Sequence, residues 1–375
     1  MDLRLKKIAK NLVDTSLAVK SGETLIVQVR GEDQFELGQY VIEYCKVRGI
    51  NVISEFLTMK QFDDFWQNVD DKGLEEIIQR EIGWYKKADA TCILRTESKT
   101  ALNEKQAKAF NRYMVEVHQN HRLKKRWVLT KVPNKEENKE LYETYINSCL
   151  LDYSKMSKAM NNLVFLLKKG KRVRIVAPNT DLEFSIEGFS AIKSFGERNM
   201  PDGEIYTVPV RDSVNGYITY NIPSRQNGIT HENVYFEFKD GKIVNAFSNH
   251  TKELNEVLDT DEGARYIGEF SFGVNPLILN PYNNILYDEK ISGSIHFTPG
   301  NAYERCDNGN RSAIHWDLVQ IQRKEYGGGE IWIDDALIRK DGLFVPENLQ
   351  ALNPENLISV TSQKQTQQLN SQSLE

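Results

Sequence analysis

Thr24-Leu-Ile-Val-Gln-Val-Arg30, an amphipathic segment from Asp33 to Val47 closed by Gly49, and Asn51-Val-Ile-Ser-Glu-Phe-Leu57 decide the fold of the first half of this chain. The two outer runs are short, apolar and rich in β-branched residues, which is the composition of buried strands. The segment between them carries helical spacing and a glycine stop. Strand–helix–strand alternation of this kind predicts a mainly parallel sheet covered by helices. Upstream, Leu3, Ile8, Leu12 and Leu17 fall near helical spacing before Ser21-Gly22. Downstream, Ala90-Thr-Cys-Ile-Leu94 and Trp127-Val-Leu-Thr-Lys-Val132 read as further strands, with helical patterns at 102–119 and 136–167.

After Lys168-Lys-Gly-Lys171 the texture changes. Arg172-Val-Arg-Ile-Val176, Leu182-Glu-Phe-Ser-Ile186, Gly216-Tyr-Ile-Thr-Tyr220, Val234-Tyr-Phe-Glu-Phe238 and Lys242-Ile-Val-Asn-Ala246 are short strands separated by turn residues. Asp240-Gly241 between two such runs is a hairpin signal, and a helix is expected from Lys252 to Leu258. The expected organisation is an α/β N-terminal domain over residues 1–180, a β-rich α+β domain over 181–360 that holds the metal-binding candidates, and a polar, disordered tail at 361–375.

Composition narrows the function. The chain has 375 residues with 40% hydrophobic and 27% charged, ample for a core. Its 48 basic and 53 acidic residues leave a net charge of −5, which argues against an electrostatic nucleic-acid partner. No apolar run approaches the ~18–20 residues of a membrane span, so no membrane partner is expected, and Met1-Asp-Leu-Arg-Leu-Lys-Lys lacks a secretory apolar region. Cys45, Cys92, Cys149 and Cys306 are widely spaced without a CxxC pair; they read as reduced core thiols of a cytoplasmic protein. No GxxxxGK[ST] or GxGxxG follows a strand, which sets nucleotide binding aside.

Six histidines are present. His118 and His121 sit in a basic helical stretch, and His231 and His250 beside turn signals, so all four are expected at the surface. His296 and His315 differ, because each lies in an apolar, strand-like run: Gly293-Ser-Ile-His-Phe-Thr298 and Ala313-Ile-His-Trp-Asp-Leu-Val319. On a strand, His315 and Asp317 project to one face with Trp316 on the other, and an imidazole beside a carboxylate is half of a divalent metal site. The bland alternative is a hydrogen-bonded His–Asp pair that stabilises a sheet. Glu204 and Glu269 stand in apolar runs where a carboxylate is costly to bury unless a cation meets it. The bland partner for Glu269 is Arg265.

Five strings, in this order, resemble the thermophilic aminopeptidase family that includes aminopeptidase T, aminopeptidase S and PepS-like metallopeptidases. They are Thr180-Asp-Leu-Glu-Phe-Ser-Ile186, Asn199-Met-Pro-Asp-Gly-Glu204, Asp259-Thr-Asp-Glu-Gly-Ala-Arg265 with Ile267-Gly-Glu269, Gly300-Asn-Ala-Tyr303 and Ile314-His-Trp-Asp317. The resemblance implies a dinuclear site held by Glu204, Glu269, His296, His315 and Asp317, with two divalent ions of zinc, cobalt or manganese. Glu269 is the implied general base and Tyr303 the implied donor to an oxyanion. It further implies a homodimer acting on small peptide substrates from their N-termini. The interval from His296 to His315 is shorter than in those peptidases. A related fold, that of the 2,5-dihydroxypyridine dioxygenases, uses two histidines and an aspartate for one non-haem iron. His296, His315 and Asp317 match that facial arrangement, whereas retention of both glutamates favours two metals and hydrolysis.

Overall fold

The computed structural model describes residues 2–96, 100 and 102–358; the expected tail lies outside them. The chain divides into two compact units, residues 1–150 with 196–201, and residues 151–195 with the remainder from 202 onward.

In the first unit, β1 (Thr24–Arg30), β2 (Asn51–Leu57), β3 (Ala90–Arg95) and β4 (Arg126–Thr130) form a wholly parallel sheet in the order β2-β1-β3-β4, with the short strand Asn199–Met200 added beside β4. Helix Phe35–Val47 links β1 to β2, as the opening sequence predicts. The stretch between β2 and β3 has no helical expectation from the periodicity above, yet it forms two helices, Met59–Asn68 and Asp71–Lys87. Their starts are legible in capping chemistry: the Thr58 hydroxyl accepts from the Gln61 amide while the Gln61 side chain returns to Thr58, and Asp70 accepts from Gly73. Trp66 anchors this layer, with the rings of Phe65, Phe110 and Tyr113 within 5.2 Å of it edge-on.

The second unit begins with helix Tyr153–Lys169, so the boundary lies ahead of the expected residue 180. That helix buries Met156, Met160, Leu163 and Leu167, and the Lys193 ammonium on strand Ile192–Ser194 bonds to Ser157 and Asn161 on it. An eight-stranded antiparallel sheet contains the strands predicted from 172 to 246. Its Asp240-Gly241 turn has φ of 49° and 82°, the paired positive values of a type I′ hairpin. A second, five-stranded antiparallel sheet runs in the order Val319–Ile321, Ser294–Pro299, Ile267–Gly273, Glu204–Thr207, Ile192–Ser194. The two sheets meet through Phe184 against Phe270 and Phe297, and Phe238 against Phe297, at centroid distances of 5.1–5.9 Å. This aromatic layer is the floor on which the candidate site stands. Among the described residues no helix is long and apolar enough to cross a membrane.

Candidate metal centre

Register on the five-stranded sheet places Ser271 opposite both Tyr206 and His296, and Gly273 opposite Glu204. Side-chain alternation then sorts these strands into two faces. Ile205, Phe270, Phe272, Ile295 and Phe297 enter the core, each fully buried. Glu204, Tyr206, Glu269, Ser271, His296 and Thr298 share the opposite face, so one alternating pattern builds both the core and the polar cluster. A β-bulge interrupts the pairing between Ile267 and Glu269. The extra residue is Gly268, where a Cβ would collide with the carbonyls of Gly300 and Asn301; the bulge re-aims the neighbouring glutamate.

His315 and Asp317 do not sit in a strand, contrary to expectation. The run is extended, and His315 is tied by a single bridge to Gly300. The His315 Nδ1 lies 2.8 Å from the carbonyl of Asn301. A carbonyl can only accept, so Nδ1 carries the hydrogen and Nε2 faces the cluster. The Thr298 hydroxyl donates to Asp317 Oδ1 at 2.7 Å and holds that carboxylate still.

Glu269 is the hub. Its Oε1 is 2.9 Å from His296 Nε2, and its Oε2 is 3.6 Å from His315 Nε2. Glu204 Oε2 approaches His296 Nε2 at 3.3 Å, and Asp317 Oδ1 approaches His315 Nε2 at 3.2 Å. Two trios result, Glu204–Glu269–His296 and Glu269–His315–Asp317, each with donor atoms within 4.8 Å of one another. Arg265, the bland partner for Glu269, instead pairs with Asp259 at 2.7 Å. Tyr303 stands 46% exposed with its ring 4.4 Å from that of His315 and 6.0 Å from that of Tyr206. The structure therefore brings together all six residues singled out by sequence.

The electrostatics are those of a carboxylate-rich, desolvated pocket. Burial alone disfavours imidazolium, yet Glu269 and Glu204 hold His296 up at about 9, and Asp317 and Glu269 hold His315 up at about 10. Burial raises Glu269, while His315 and His296 outweigh burial and keep Asp317 well below the usual range. Glu269 Oε2 and His315 Nε2 are both buried without a hydrogen-bond partner among the described residues. Orphaned atoms of this kind, a ring nitrogen and a carboxylate oxygen in the Glu269–His315–Asp317 trio, fit a divalent cation.

Sequence reasoning missed three members. Lys290 is fully buried with its ammonium 2.6 Å from Glu204, 2.7 Å from Glu289 and 3.3 Å from Asp202. Asp288-Glu-Lys290 carries the pattern of a solvated charge run, and only the cost of burying Glu204 hinted that a cation was near. His231 is also corrected: it is fully buried, its Nδ1 3.2 Å from the Ser248 hydroxyl and its ring edge-on to Trp316 at 5.2 Å. The hairpin Ser224–Gln226 with Ile229–His231 turns it inward. His118 is partly buried too, and burial pulls it down to about 3.

Comparison with known proteins adds a family and two fold relatives. The model of the thermophilic metalloprotease family M29 matches residues 1–330. Aminopeptidase 2 of Geobacillus stearothermophilus is 31% identical over 162 residues, covering 40% of this chain and 38% of the relative. Aminopeptidase T of Thermus aquaticus is 30% identical over 165 residues, with the same coverage of 40% and 38%. The matched stretch thus spans under two fifths of the length of these curated relatives. In structure, wild-type AmpT from Thermus thermophilus aligns over 92% of this chain and 99% of its own, at 17% identity and a TM-score of 0.75. The 2,5-dihydroxypyridine dioxygenase of Pseudomonas putida KT2440 aligns over 92% and 98%, at 15% identity and a TM-score of 0.62. At these identities the structural matches speak to the fold.

Proposed function

Because the chain belongs to the thermophilic metalloprotease family M29, we propose that it is a metallo-aminopeptidase that removes N-terminal residues from small peptides at a dinuclear site. The observation that carries this reading is the pair of ligand trios with Glu269 common to both. In this reading Glu204 and His296 would hold one ion and His315 and Asp317 the other, with Glu269 available to both. Zinc, cobalt and manganese all accept this mixture of imidazole and carboxylate. Bound divalent ions supply Lewis acidity, which activates water and polarises a carbonyl.

The chain's own groups do the rest. The hydrogen that His315 Nδ1 gives to Asn301 fixes the ring so that Nε2 remains a donor. Thr298 fixes Asp317 in the same way. Tyr303, beside His315 and at the exposed edge of the cluster, donates its phenolic hydrogen to the developing oxyanion. Desolvation together with Asp317 and Glu269 raises that phenol well above the usual tyrosine value, which keeps the hydrogen in place. Glu269 is also assigned the proton-accepting role, for which one of its two oxygens would have to be released from its ion. Three acidic ligands attract the free α-amino group of a peptide. A homodimer in the cytoplasm completes the reading.

A single-iron site made from His296, His315 and Asp317 is the competing arrangement. Among the described residues those three do not form a ligand trio, since Glu269 belongs to both trios and His296 groups with Glu204. The test is metal content per chain on protein purified without chelator, read with amino-acid release from a panel of aminoacyl-anilides. Two divalent ions with hydrolysis is the expected result; one iron without hydrolysis overturns it.

A further inference from the structure

Lys290 has no part in the ligand set, yet it is fully buried and its ammonium sits among three carboxylates. Its closest contact, 2.6 Å, is to Glu204 Oε1, while Glu204 Oε2 is turned to His296. The two oxygens of this glutamate therefore have different occupations.

The lysine is held in position from several sides. Its amide donates to the Tyr287 carbonyl at 2.9 Å, and its own carbonyl accepts from the Asn275 amide at 3.0 Å. The Asn275 side chain donates to the Asp202 carbonyl at 2.6 Å, so one buried asparagine ties the Lys290 segment to the Asp202–Glu204 segment. The Asp202 amide in turn donates to the Tyr153 hydroxyl at 3.0 Å. Gly203 has φ of 139° with Asn275 atoms 3.0–3.2 Å from where a Cβ would stand, so the two segments are packed as closely as backbone allows.

We propose that Lys290 is a positioning residue that restricts Glu204 to one donating oxygen, Oε2, and thereby leaves Glu269 as the carboxylate that bridges two ions. The inference rests on the two-ion reading above. A carboxylate oxygen paired with an ammonium at 2.6 Å is a weaker donor to a metal than its unpaired neighbour. Among the described residues no lysine or arginine pairs with Glu269: its two oxygens face the two histidines separately, and those are themselves candidate ligands. Without Lys290, Glu204 has a second oxygen free to chelate the ion it shares with His296.

Cobalt(II) reads this difference directly, because its visible absorption weakens as the ion gains ligands and its surroundings become more centrosymmetric. The full-length chain and its Lys290→Met variant are loaded with cobalt, the metal is counted by mass spectrometry, and absorbance per bound cobalt is compared. The expected result is two cobalt ions in the wild-type chain and a loss of absorbance per cobalt in Lys290→Met at equal loading. Equal absorbance at equal loading overturns the proposal and reduces Lys290 to neutralising charge. Fewer than two ions in the wild-type chain overturns the two-ion reading itself, and the positioning role with it. Where Lys290→Met does not fold, Lys290→Gln removes the charge, retains an amide, and is read by the same absorbance.

Discussion

Metal uptake by this protein is expected to expel protons in a pattern that counts the ions. In the metal-free chain both ligand histidines are protonated near neutral pH, His296 held at about 9 and His315 at about 10 by the carboxylates around them. A metal needs the Nε2 lone pair, so each ion must displace a proton. At pH 7 that displacement works against about 2 units for His296 and about 3 for His315, or roughly 3 and 4 kcal/mol at about 1.4 kcal/mol per unit. The sign follows: raised values mean the protonated forms are favoured below about 9 for His296 and about 10 for His315, so apparent affinity for each ion climbs as pH rises towards its histidine's value and flattens above it. The assay is zinc titration in a pH-stat, repeated calorimetrically in two buffers of different ionisation enthalpy. With two ions sharing Glu269, the histidine protons leave over two equivalents of zinc, one with each. A single site that uses both histidines releases both within the first equivalent. Glu289, raised to about 8 by burial against the pull of Lys290, adds a fraction of a proton to either profile, and His315→Ala subtracts one from it. Zinc binding with no proton release near pH 7 would refute the argument, since it would mean that the histidines are neutral before the metal arrives.

Three further outcomes are expected. Glu269→Gln should leave the fold intact, as judged by circular dichroism, and lower turnover by roughly 10²–10⁴-fold; near-normal activity removes Glu269 from the mechanism. Thr298→Val, which takes away the 2.7 Å hydrogen bond to Asp317, should weaken metal binding by roughly 10–100-fold with little change in melting temperature, and unchanged affinity would show that Asp317 holds itself in place. His118 is lowered from the ordinary 6.5 to about 3 by burial, so the unfolded chain takes the proton first. The stability this group contributes is complete above about 6.5 and declines as pH falls towards 3, at about 1.4 kcal/mol per unit. His118→Asn should flatten urea midpoints over that window by one proton's worth, and a parallel slope would refute the burial argument.

Legibility in the sequence tracked the range of the interactions. Buried strands such as Thr24–Arg30 announce themselves because every residue contributes to one local pattern. The hairpin at Asp240-Gly241 does so because two positive φ values need particular residues. Helices Met59–Asn68 and Asp71–Lys87 are harder, since their apolar residues surround Trp66 from several directions and not as one clean stripe. The candidate ligand residues were legible because an imidazole or a carboxylate in an apolar run is locally costly. Lys290 was not, because Asp288-Glu-Lys carries no local cost; burial of the ammonium arises from Asp202 and Glu204, more than eighty residues earlier, folding over it.

A peptidase and a ring-cleaving dioxygenase both share this fold with the chain, at TM-scores of 0.75 and 0.62, so the backbone does not choose the chemistry. The choice falls to the carboxylates. His315 and Asp317 alone offer two donors on one side of the cluster, and His296 stands across from them, next to Glu204 and Glu269. Glu269 lies between the two histidines and belongs to both candidate trios, so under the two-ion proposal each histidine would serve a different ion. Burying Glu204 and Glu269 beside Asp317 and Glu289 is unfavourable without cations; in the metal-free chain Lys290 and the protonated His296 and His315 supply them. Once both histidines give up their protons, the negative charge left is what divalent ions are suited to offset, which supports the two-ion proposal. Under that proposal Lys290 keeps Glu204 to one donating oxygen, and Glu269 is the carboxylate left to be shared.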